Sequence, residues 1–154
     1  MTTSTDTEHS VDVLNQLLET ARDGEKGFTE AAESTDSPDL RATLQGFAAQ
    51  RAAFVTELTQ LIQSVGGDPH ESGHIAGAMH RGWMNIKEAF SKRDDKAILE
   101  ECERGEDYAK KAFTEALNEP LPENIRTVVQ RMSSEVKMAH DRVRGLRDRA
   151  KAAT

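Results

Sequence analysis

Cysteine is nearly absent from this chain of 154 residues: Cys102 stands alone, so no internal disulfide can form and the fold has to be held by packing. A lone cysteine suits a reducing compartment. The polar first ten residues show no charged-then-apolar leader and no cleavage site, so a cytoplasmic location is expected. No apolar run approaches the roughly 20 residues needed to span a bilayer, and no membrane is expected as a partner. Prolines number four and aromatics make up 5%, so helices have few breakers. Positive charge is also short: the net charge of −7 argues against general nucleic-acid binding.

Present in quantity are Ala, Glu, Leu, Arg and Lys, with 36% hydrophobic and 31% charged residues, a mixture that favours an all-α protein. Apolar residues at helical spacing predict a first helix over 10–33, through Val11, Leu14, Leu18, Ala21, Phe28 and Ala32. Ser37-Pro38 supplies an N-cap and a first-turn proline for a second helix, ending where Gly66 can adopt a left-handed cap. A shorter helix is predicted over 73–90, then long helices to about Leu117 and over 122–150. Residues 1–8 are expected to be a flexible N-terminus and 9–154 a single domain. Short turns make each pair of long helices an antiparallel hairpin. A long connection between the pairs gives a ferritin-like up-down four-helix bundle with a helical crossover between the second and third long helices.

Two helices carry a Gly-Glu pair, Gly24-Glu25 and Gly105-Glu106, and their hairpin partners carry Gln50-Arg51 and Gln130-Arg131 at nearly the same separation. Two related hairpins would explain the match. The glycines would let helices approach closely, offsetting the roughly 1 kcal/mol each loses in a helix interior. A buried polar layer follows, built from Glu25, Gln50, Arg51, Glu106, Gln130 and Arg131, with Glu25 balanced by Arg51 and Glu106 by Arg131. On "RDGEKGF", "AAQRAAF", "HRGWM", "ILEECERGED" and "HDRVRGLR", most of the chain resembles a family of uncharacterised ferritin-like four-helix-bundle proteins of bacteria. That resemblance implies the fold and brings no activity with it.

Di-iron proteins of this topology place one Glu on each of two helices and a Glu-x-x-His pair on each of the other two, because residues at i and i+3 share a face. The sequence is read as carrying no Glu-x-x-His anywhere, which argues against such a site. A degenerate di-iron motif remains as the alternative, with Glu57 and His140 as ligands for iron or manganese, although Lys137 stands where a carboxylate should. His70, His74 and His80 read as solvated, Trp83 as the plug that docks the crossover, and Cys102 as a small core residue. The basic tail (Arg142, Arg144, Arg147, Arg149 and Lys151) reads as the complement of a helix C-terminus. No catalytic residues and no cofactor are expected. The expected role is that of a non-catalytic bundle acting through a protein partner or a second copy of itself; the alternative is a metal-binding bundle.

Overall fold

A computed structural model of the protein describes residues 4–70, 82–83, 86–91 and 93–153, all in helices, turns and short connections, with no strand among them. Among the described residues five helices pack together: α1 (Ser4–Ser34), α2 (Pro38–Ser64), the short α3 (Ile86–Ser91), α4 (Asp95–Leu117) and α5 (Glu123–Ala152). Ser37 caps α2 as expected, its Oγ accepting from the Leu40 amide at 3.2 Å, and Asp94 caps α4 through the Lys96 amide. Gly66, at φ +82°, ends α2 in the left-handed region that a glycine enters without strain.

Helix α1 begins at Ser4 rather than near Ser10. Its early turns have tertiary support, since Ser10 is buried and His9 Nε2 lies 2.6 Å from Glu119 Oε1. Of the crossover helix expected over 73–90, the described residues are α3 and residues 82–83, which are not helical, Gly82 standing at φ +90°; residues 71–81 and 84–85 lie outside the described residues. The connection is strapped to α1 on leaving α2. Asn15 donates to the Asp68 carbonyl at 3.1 Å, and its own carbonyl accepts from the His70 amide at 2.7 Å.

Both hairpin turns are closed the same way. Arg41 donates to the carbonyls of Ala32 and Thr35 at 3.1 and 2.7 Å; Arg126 donates to those of Leu117 and Glu119 at 2.7 and 2.6 Å. Across the bundle α1 runs antiparallel to α4: His9 meets Glu119 at one end, and Thr35 donates to Asp95 at 2.6 Å at the other. Thus α1 and α5 point one way, α2 and α4 the other.

The core divides into two apolar clusters. One gathers Leu14, Leu18, Phe54, Leu58, Phe113 and Val136, with their neighbours; the other gathers Phe28, Leu44, Trp83, Ile98, Cys102 and Val143. Between them lies a charged level.

Candidate functional site

That level is made by one residue from each of two helices whose backbones do not touch. Arg51 of α2 and Glu106 of α4 reach across the interior and pair bidentately, Nη1 to Oε1 at 2.6 Å and Nη2 to Oε2 at 2.7 Å. Both are essentially inaccessible, with side-chain exposures of 1% and 0%. Burial of two charges is tolerable only where geometry is good and the remaining donors are met. Here Arg51 Nε donates to Gln50 Oε1 at 3.1 Å. The guanidinium carbon also lies 5.4 Å from the Phe28 ring centroid and 5.8 Å from that of Phe54, one aromatic from each apolar cluster. Gly24 leaves the room this needs, since a Cβ there would stand 3.1 Å from Arg51 Nη1.

The other glycines of the two Gly-Glu segments serve a second fit. Trp83, 3% exposed, lies between Gly27 of α1 and Gly105 of α4. A Cβ on Gly27 would come within 2.6 Å of its ring, and one on Gly105 within 2.5 Å of Cζ2 and closer still to Cε2. Trp83 meets Phe28 edge-on, with centroids 5.2 Å apart and planes at 79°. The glycines therefore make room for an indole and a guanidinium from elsewhere in the chain, not for close helix–helix contact.

The expected pairings are crossed. Arg51 takes Glu106, not Glu25, which is half-buried and whose backbone carbonyl accepts from Thr29 at 2.7 Å. Gln130 and Arg131 lie on the exposed face of α5. Arg131 bridges Glu57 of α2 and Glu135 of its own helix, the latter at 2.8 Å. Those contacts raise the Arg131 pKa, led by the hydrogen bond it donates to Glu57. The hairpin turns give the reason. If Arg41 corresponds to Arg126, then Arg51 corresponds to Val136 and Arg131 to Gly46, so the two Gln-Arg pairs are not equivalent positions.

Glu57 and His140 are likewise kept apart. His140, buried among Met132, Val136 and Val143 on α5, directs Nε2 to Asp107 Oδ1 at 2.5 Å, with Nδ1 3.3 Å from Asp141 Oδ1. Beside it Glu103 receives Arg147 Nη1 at 2.7 Å and Arg144 Nε at 3.2 Å, so two tail arginines serve α4 rather than the helix terminus alone. Glu103 and Asp107 were missed by sequence reasoning, although their spacing of four on one helix is a usable signal. Also missed was the spacing Glu71-Ser72-Gly73-His74, the one Glu-x-x-His of the chain; it lies outside the described residues, as do His74 and His80. His70 is exposed, and its ring meets Glu19. Cys102 is fully buried; burial first, then the Glu106 and Glu101 carboxylates, push its thiol pKa well above 9.0.

Residues 9–119 match the family model described as a domain of unknown function, DUF2383, and with well over half its length matched the chain belongs to that family. No curated protein matches it.

Proposed function

We propose that this DUF2383 member is a ferritin-like four-helix bundle of the bacterial cytoplasm whose centre is closed to metal. On this reading it works without catalysis, through contacts with protein or with a second copy of itself. The helix directions support the ferritin-like reading: two tightly turned hairpins, a long connection between α2 and α4, and α1 antiparallel to α4.

One observation carries the functional part. At mid-bundle, where a di-metal protein of this topology converges carboxylates and histidines, this chain places Arg51, its largest fully buried side chain. A permanent cation that holds both oxygens of Glu106 takes the place of a metal there, and its like charge opposes one. Contact through the surface is supported by the two large hydrophobic residues exposed among the described residues, Met138 at 72% and Tyr108 at 40%.

Light scattering after size exclusion, over a range of protein concentration, tests this. Concentration-dependent association is expected, reduced by Met138→Lys. A monomer at every concentration that also retains no protein in pulldowns would overturn the reading.

A further inference from the structure

Away from the central pair, the seam between α4 and α5 gathers a different set of groups. Glu103 and Asp107 sit one turn apart on α4, and His140 of α5 faces both. One ligand atom from each lies within 4.8 Å of the others. The imidazole is 1% exposed, so its orientation is set by packing, while the Asp107 side chain is 57% exposed and free to adjust.

We propose that Glu103, Asp107 and His140 bind a first-row divalent transition ion of the zinc(II) or manganese(II) type. Two carboxylate oxygens and one imidazole nitrogen from two helices suit such ions, which take these donors at about 2.0–2.2 Å. Asp141 stands where an orienting carboxylate belongs. Without metal Nε2–H can donate to Asp107 at 2.5 Å; with an ion on Nε2 the ring proton moves to Nδ1, which lies 3.3 Å from Asp141 Oδ1 and can donate there. Arg144 and Arg147 fix the Glu103 carboxylate, and its further lone pairs stay open for coordination. Their charge opposes the ion and holds its affinity down. The exposed side of Asp107 leaves the remaining coordination positions to water. None of this involves the Arg51–Glu106 level, so the two readings stand or fall separately.

The test is calorimetric titration of the chelator-treated full chain with zinc(II) alone, repeated with manganese(II) followed by electron paramagnetic resonance. One saturable site per chain is expected. Asp107→Asn, at an exposed position that leaves the fold intact, should weaken binding at least about tenfold. Arg147→Gln should tighten it several-fold by removing an opposing charge, and Glu57→Gln should leave it unchanged. Absence of a saturable site, equal binding by Asp107→Asn and the parent, or weaker binding by Arg147→Gln would each overturn the proposal. His140 is buried and its replacement would disturb packing, so the imidazole is followed in the parent protein instead. Its nitrogen resonances give a second readout, with Nε2 shifting on metal addition; an Nε2 signal that does not move at saturating metal would remove His140 from the site and overturn the proposal as stated.

Discussion

Gly105 and Trp83 share one side-chain volume: a Cβ on the glycine would fall within 2.5 Å of indole atoms Cζ2 and Nε1. The tryptophan enters from the crossover and the glycine belongs to α4, so a single hydrogen at Gly105 decides whether the crossover seats.

Gly105→Ala should therefore unseat Trp83. Losing the burial of a large aromatic costs about 3–5 kcal/mol, and the variant should approach that loss in denaturant unfolding. Fluorescence of this one tryptophan should shift to the red. Gly46→Ala is the control. No heavy atom lies within 4 Å of a Cβ added there, so this variant should gain about 0.5–1 kcal/mol from helix propensity. Equal effects at the two glycines would contradict the fit.

Arg51 and Glu106 make a second prediction. Removing one partner leaves a charge uncompensated in the interior, so Arg51→Met should lose about 3–5 kcal/mol. The double change Arg51→Met with Glu106→Leu should recover most of that, because apolar groups of similar volume replace a buried pair at little cost. If the two hairpins are aligned on Arg41 and Arg126, the position of Arg51 is taken by the buried Val136, so the other hairpin manages with valine there. Urea titrations of the two variants decide it; a double variant no more stable than the single would mean that the pair contributes more than mutual neutralisation.

Arg131 carries the same local motif and predicts the opposite magnitude. It is 48% exposed and its partners Glu57 and Glu135 are 40% and 38% exposed, so water screens both bridges. Arg131→Ala should change stability by less than about 1 kcal/mol, and salt should erase most of the difference. A salt-independent loss comparable with that of Arg51 would refute this account of the two pairs.

These contrasts show what was legible in the sequence. The Ser37-Pro38 cap, the Gly66 stop and the short hairpin turns are local signals, and each stands where the sequence places it; helix periodicity found the long helices but started α1 too late. Trp83 is the buried plug that the sequence suggested, although it stands outside any helix and not on the helical stripe that suggested it. The partners of Arg51 and Arg131 were not. Both sit in a Gln-Arg pair, and matching those letters led to the wrong register. What distinguishes them is which face of the helix meets the core, and that register is visible only once Arg41 and Arg126 are seen closing equivalent turns. The spacing of Glu103 and Asp107 puts them on one face of α4, but that His140 faces them from another helix leaves no mark in the local sequence.

Cys102 supplies the last prediction, and its sign follows from linkage. Burial and the nearby Glu106 and Glu101 carboxylates disfavour the thiolate in the folded protein, raising its pKa well above 9.0. The unfolded chain, with an ordinary thiol, ionises near pH 9.0. The folded state retains its proton there. This contribution to stability is therefore fully present below pH 9.0 and is lost progressively as pH rises above it toward the folded value. Cys102→Ala removes the titrating group and adds a pH-independent packing loss. The stability difference between parent and variant should be constant from pH 7 to about pH 8.5 and then fall by up to about 1.4 kcal/mol per pH unit. Urea unfolding across that range measures it, and a difference that stays flat to pH 10.5 would show that the folded thiol ionises as readily as the unfolded one. Thiol-reactive reagents give the kinetic counterpart: labelling of Cys102 at pH 8 should be slow in the folded protein and fast in urea, because the nucleophile is the thiolate that the core suppresses.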